Sequence, residues 1–428
     1  MANLPEFRRA AVKAPRLRRY KPRHQRGTRM GAALRLHPYR SGIAVFVAMV
    51  VFTAGTSYAQ KLAQPGNESV SEKSVEWLRD NHFGSIVDYV ENKWYTSHPP
   101  RVGGAPRAIA IPRFLPGASV TPPTRVPLVA TTTTAAPRLA VVAPPVTVPP
   151  PDHLPAPTPV VSPAANPVPG EGEWVPFGSS SSGAPGLYTT QLRPDAVHTS
   201  YLVVAVWMDP KVVRFRLHPG IEVPGGTWST PPAITDPIGD RLLAAFNSGF
   251  RMKDAYGGFY ADGVERPALV PGAASLVIDK AGVADVVQWG RDRGMGPDVV
   301  AVRQNLALIV DHGRIVPQLD DNPGNRWGHT VGNKVFVWRS GVGITADGAL
   351  VYVGGPSMSA KSLGETLLRV GAVRAMELDI NYAWVSFNVY QASHGVVSGT
   401  KLLQEMHRPG GRYLGIDSRD FVEVSLRF

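Results

Sequence analysis

Twenty of the chain's 41 prolines fall between residues 99 and 169. That stretch also holds Thr131 to Thr134, Pro149 to Pro151 and almost no acid. It cannot hold a hydrogen-bonded ladder or bury a core, because proline removes the donor and the apolar density is too low. It reads as an extended Pro/Thr-rich linker over 99–172, roughly 200 Å long if fully extended at the polyproline rise of ~3.1 Å per residue. Its composition is also that of O-glycosylated stalks. The 428 residues must therefore fold on either side of this cut, and the folded mass is smaller than the length suggests.

Charge divides the chain again. The first forty residues carry twelve Lys or Arg against the single acid Glu6, which leaves 33 basic and 32 acidic residues from Ser41 onward. The high pI thus belongs to a basic tail, 1–41, and not to the body. Such a tail suits nucleic acid or a membrane. The apolar run at 42–59, with no charge from Ser41 to Gln60, decides for the membrane and against nucleic acid. A positive flank before an apolar run keeps the N-terminus cytoplasmic and sends the rest outward, so 42–59 reads as a single-pass signal anchor. Ser57-Tyr58-Ala59 resembles a small-x-small cleavage site, which keeps cleaved secretion as the alternative. Either way the body is extracytoplasmic. Without a cysteine it must stand on its core alone.

A short helical segment is expected over 61–98. Ser69-Val70-Ser71-Glu72 fits a capping box, and Val75, Leu78, Ile86, Val87, Val90 and Trp94 mark apolar stripes broken at 80–84. Two helices this small must dock on the body or on a partner.

Beyond the linker, 173–428 is patterned at period two, with hairpin punctuation at 279–282, 311–314 and 346–348. Helices are expected only at 362–370 and 400–406, so the fold class is α+β, dominated by antiparallel sheet. The helix at 362–370 carries Leu363, Leu367, Leu368 and Val370, and Gly371 offers a left-handed cap. The strand that follows ends in Glu377-Leu378-Asp379-Ile380, which at period two puts both carboxylates on one face and both apolar residues in the core. Two carboxylates there need a cation, a metal or a solvent cleft, or are solvated edge residues.

Several familiar motifs fail on context. Residues 341–346 match a dinucleotide fingerprint by letters but lead into a hairpin instead of a helix. Ser398 and Lys401 have a Ser-x-x-Lys spacing without its partner motifs. Asp320, Asn322 and Gly324 begin like a calcium loop, but Val331 stands where the bidentate glutamate belongs. No metal or cofactor motif emerges. What remains is a set of loops where polar side chains meet glycines: 247–251, 257–263, 326–330 and 338–343. Glycine lets backbone approach a ligand, and the arginine fork suits phosphate or carboxylate.

Taken in order, these stretches resemble the phosphodiester glycosidase family over about 244–390. Asn247-Ser248-Gly249-Phe250 is similar to its Asn-Gly-Gly-Phe, and Arg339-Ser340-Gly341-Val342-Gly343 to its Arg-Thr-Ala-x-Gly segment. The helix from Ser362 and the strand to Asp379 resemble its Leu-x-Glu-Leu-Ala helix and Leu-Asp-Gly-Gly-Gly-Ser end. The chain departs from the pattern after Asp379, where Ile380-Asn381-Tyr382-Ala383-Trp384 replaces the glycine run and serine.

The resemblance implies a hydrolase that cleaves a glycosidic bond with phosphate as the leaving group; with the anchor read at 42–59, its expected substrates are envelope or exopolysaccharide glycans. By that resemblance Asp379 is the catalytic carboxylate, either base or nucleophile, and Glu377 is its partner. Arg339 binds the phosphate, Asn247 and Asn381 hold sugar hydroxyls, and Arg251 adds a second cation. His329 is a proton shuttle or a packed or solvated histidine. The alternative is a non-catalytic glycan-binding or scaffold module on the same fold, with Tyr382 and Trp384 stacking on sugar rings.

Overall fold

In the computed structural model the described residues are 38–107, 109, 152–179, 183–330 and 335–427. The basic tail up to residue 37 and the linker from 110 to 151 lie outside them. The chain divides into two units, Met1–Leu62 and Ala63–Phe428. The first contains nearly all of helix α1 (Pro38–Ala63). Its Ser41–Ala63 stretch is long and apolar enough to cross a membrane, as an anchor or as a signal.

The second unit begins with α2 (Val70–Asp80) and α3 (Gly84–Ser97). Ser69 caps α2 through a full capping box with Glu72. Arg79 staples the two helices together, its guanidinium 2.9 Å from both Asp88 and Glu91.

Among the described residues, three antiparallel sheets make most of the rest. The largest has eight strands in the order Val175–Ser179, Pro185–Leu192, Val203–Met208, Leu350–Met358, Val337–Thr345, Ala372–Glu377, Leu308–Asp311 and Arg314–Ile315. A second runs Val264–Glu265, Phe259–Ala261, Val299–Gln304, Ala274–Asp279, Ala284–Gln288. The third runs Val396–Lys401, Phe387–Ser393, Leu242–Asn247, Phe421–Leu426, Val213–His218. The α+β class read from the sequence is what the chain adopts.

The period-two pattern assigns each side chain to a face. Val204, Val206 and Met208 enter a central core shared by all three sheets, while Val203, Ala205 and Trp207 enter a second core behind the large sheet. The chain closes that second core with α5 (Ala360–Arg369), numbered after the single turn α4 (Met252–Ala255). Leu363 and Leu367 of α5 are fully buried there, each removal from water stabilising the fold by about 1.5–3 kcal/mol. Gly371 takes φ +101 after the helix, the left-handed conformation its position called for.

Three sequence expectations change. The spacer expected to reach 172 stops short, because 152–172 is packed on the large sheet. Leu154 N donates to Asp209 Oδ2 at 2.6 Å, Val160 N to Gly172 O at 3.0 Å, and buried Glu171 pairs with Arg193 at 2.7 Å. An extended backbone has free polar groups, and here sheet side chains meet them while Val160 and Ala164 find apolar cover. The helix expected at 400–406 is instead the end of a hairpin strand at Lys401 followed by a turn over 402–406. His394 and Gly395 take φ 51 and 77, and this two-residue turn pairs Phe387–Ser393 with Val396–Lys401. Finally, Val337–Thr345 is one continuous strand through Gly341 and Gly343, whose glycines serve close packing and not a turn. A Cβ on Gly341 would stand 2.8 Å from Met376 O and 3.0 Å from a methyl of Leu367.

Candidate functional site

Strand Ala372–Glu377 pairs with Val337–Thr345, Glu377 lying opposite Gly341. Past its end the ladder goes on: Leu378 N donates to Ser340 O and Ser340 N to Asp379 O, both at 2.8 Å. Ser340 Oγ also accepts from Asp379 N at 3.2 Å and from Asn247 Nδ2 at 3.0 Å. Asn247 Oδ1 in turn accepts from Tyr352 OH and from Ser386 N. Asn247 is therefore a buried clamp between two sheets and does not line the cavity beside Asp379. Asn305 supports the same tip, its Nδ2 donating to Glu377 O at 2.7 Å and Leu378 O at 3.1 Å.

The two carboxylates separate here. Glu377 is sealed, with Oε1 2.5 Å from Arg339 Nη1 and Oε2 without a hydrogen-bond partner among the described residues. Burial pushes its carboxyl upward, with Arg339 opposing. Arg339 is itself consumed: Nε donates to Met358 O at 2.9 Å and Nη2 to Val335 O at 3.1 Å. Both residues are buried and neither lines the cavity that Asp379 faces, so the expectation that Arg339 meets a substrate phosphate beside Glu377 gives way to a closed interior pair.

Asp379 lines a cavity of about 400 Å³. Burial raises its carboxyl from 3.8 to about 7, against the pull of Arg419 and of the Asn381 and Ile380 amides. Asn381 N donates to Asp379 Oδ1 at 2.9 Å, which fixes one oxygen. Arg251, His329, Asn381, Trp384 and Arg419 line the same cavity, with Gly328 and Phe250 between them. Five of the eight residues chosen from the sequence thus converge (Asp379, Asn381, Arg251, His329, Trp384), and Asn247, Arg339 and Glu377 stand behind them. Trp384 is buried, not exposed. The guanidiniums of Arg419 and Arg408 lie 4.1 and 4.4 Å from its ring centroid, the positions a stacked sugar would need. Exposed Tyr382 meets His407 edge-on.

Sequence reasoning missed Arg419 and Asn305. Arg419 sits among acids in Asp417-Ser418-Arg419-Asp420 before the last strand, a run that reads as a solvated turn. It also missed that α2 lies over the cavity, with Glu76 on its wall. The signal was the four-residue spacing of Glu72, Glu76 and Asp80. Among the described residues, no group of three His, Asp or Glu is placed to hold a metal ion.

The architecture is that of a sheet-rich domain with its site at the ends of neighbouring strands. It is similar to the catalytic domain of zebrafish N-acetylglucosamine-1-phosphodiester alpha-N-acetylglucosaminidase, auto-inhibited by its pro-peptide, at TM-score 0.37 and 14% identity, over 59% of this chain and 87% of that one. A hypothetical protein from Synechocystis gives TM-score 0.34 and 13% identity, over 56% of this chain and 62% of that one. A protein of Burkholderia pseudomallei K96243 described as exported gives 0.27 and 14%, over 52% and 74%. The scan against family models and the search of curated proteins match nothing. The likeness is distant, and the chemical reading rests on the side chains above.

Proposed function

We propose that this protein is an extracytoplasmic, membrane-tethered hydrolase that cleaves a glycosidic bond to phosphate in an envelope or exopolysaccharide glycan. The observation that carries the reading is the convergence of Asp379, Asn381 and two arginines, Arg251 and Arg419, in one cavity at a strand end. In its ionised form Asp379 takes a proton from water as the water oxygen bonds to the anomeric carbon. The carbon–oxygen bond to phosphate breaks, and the phosphate keeps the electron pair. Phosphate is a good leaving group, so a protonating partner matters little and cationic stabilisation matters more. That fits a site whose second carboxylate, Glu377, is sealed away. A carboxyl that titrates near pH 7 is matched to proton transfer at neutral pH.

The competing reading, a glycan-binding or scaffold module without chemistry, is favoured by Trp384 being packed between arginines and by α2 over the cavity. The test is release of phosphorylated sugar from fractionated cell-envelope glycans by the full chain and by its Asp379→Asn variant. Release by both at equal rate removes Asp379 from the mechanism, and release by neither favours the binding module.

A further inference from the structure

Helix α2 docks in the reverse of the usual manner. Its two buried side chains are Lys73 and Glu76, and its apolar Val70 stays exposed. Glu72, Glu76 and Asp80 share one face, and each meets an arginine of the sheet domain. Glu72 Oε2 lies 3.0 Å from Arg408 Nη1, and Asp80 Oδ1 lies 2.9 Å from Arg251 Nη1. Glu76, between them, is held by two guanidiniums. Its Oε2 accepts from Arg251 Nη2, and its Oε1 accepts from Arg419 Nη2 at 3.1 Å.

One carboxylate oxygen per guanidinium is also how two oxygens of a phosphoester would be held. A carboxylate does not exhaust the donors present. Arg419 is 7% exposed, and its Nε has no hydrogen-bond partner among the described residues. A guanidinium carries five donors and a phosphate more acceptor positions than a carboxylate, so the larger anion satisfies this wall better.

From this geometry we infer that Arg251 and Arg419 form an oxyanion subsite beside Asp379, with Glu76 as its resident and displaceable occupant. The ligand is a glycan bearing a phosphoester or a carboxylate. The inference concerns binding and stands whether or not Asp379 turns a substrate over.

Displacement is built into how the hairpin is held. Buried ion pairs return little net energy once both ions have been desolvated, so exchanging one anion for another costs little. Apolar burial does not lock the pair in place: Val87 is the one buried residue of α3, while Ile86, Tyr89, Val90 and Trp94 are exposed. The Arg79 staple makes α2 and α3 leave together. A tethered occupant weakens apparent affinity by the fraction of time the site is free, so a hairpin closed nine-tenths of the time weakens binding about tenfold.

The experiment uses the detergent-solubilised full chain at fixed ionic strength, titrated calorimetrically with dimethyl phosphate and, separately, with glucuronate. Glu76→Gln is expected to tighten binding of at least one anion about tenfold, and adding Arg419→Ala is expected to abolish the gain. Tightening for dimethyl phosphate identifies a phosphoester ligand, and tightening for glucuronate a uronic acid. No gain for either anion, or a gain that survives Arg419→Ala, overturns the subsite. Hydrogen exchange on the unmutated chain needs no variant to fold: saturating anion should raise exchange in α2 and α3, and unchanged exchange refutes displacement. An inactive protein that passes these tests loses the proposed chemistry and keeps the subsite. An active one that fails them keeps the chemistry alone.

Discussion

Glu377 and Asp379 stand two residues apart at one strand end, each within reach of arginine, yet their surroundings differ in kind. Around Glu377 the cation is locked: Arg339 is tied to two carbonyl oxygens as well, and nothing from outside reaches the pair. Around Asp379 the cations face a cavity, and the carboxylate that pairs with them comes from a helix resting on its surface. The first arrangement fixes the strand end. The second leaves charge exchangeable, which binding and proton transfer both require.

Substitutions at the two positions should therefore fail in different ways. Asp379→Asn is expected to lower turnover about 10²–10⁴-fold, the usual contribution of a positioned acid or base, with unfolding midpoints unchanged or higher. A comparable loss from Glu377→Gln with stability intact would break the contrast. Glu377→Ala is expected to cost about 3–5 kcal/mol in denaturant unfolding, because Arg339 is left charged and buried without its partner.

The pH dependence sharpens the same distinction. Folded Asp379 keeps its proton up to about pH 7, whereas the unfolded chain releases it near 3.8. The folded state binds more protons between those values, so stability falls as pH rises across that window. Asp379→Asn should flatten the fall, as read from unfolding curves at its two ends. Activity should run the other way, climbing through about pH 7 as the carboxylate forms. The smallest effect belongs to the rim. Asp80 is about half exposed beside Arg251, and Asp80→Asn should cost under ~1 kcal/mol and shift with salt.

What could be read in the sequence follows from range. Period-two alternation and glycine-marked turns are local, so the sheet-rich class, the helix capped at Gly371 and the strand leading to Asp379 were visible in the letters. The carboxylates were visible as a pair, but not their separation, which depends on Arg339 reaching Glu377 from two residues along the facing strand, across a register that sequence does not state. Arg419 joins the cavity from the start of the last strand, forty residues from Asp379, and no local pattern marks it. The packed segment 152–172 was hidden for the opposite reason: its composition is that of a free spacer, and only the sheet beneath gives its backbone partners.

Gly341 and Gly343 tie the molecule's two sides together. With no side chain at either position, the strand passes so close to Met376 and Arg374 that an added carbon would press on a backbone oxygen. Next along the strand is Ser340, whose amide, carbonyl and hydroxyl set Leu378 and Asp379 in place. The packing of α5 and the aim of Asp379 thus depend on the same few residues of one strand. A substitution at either glycine would therefore disturb both sides of the sheet at once, the helix packed behind it and the carboxylate at the strand end.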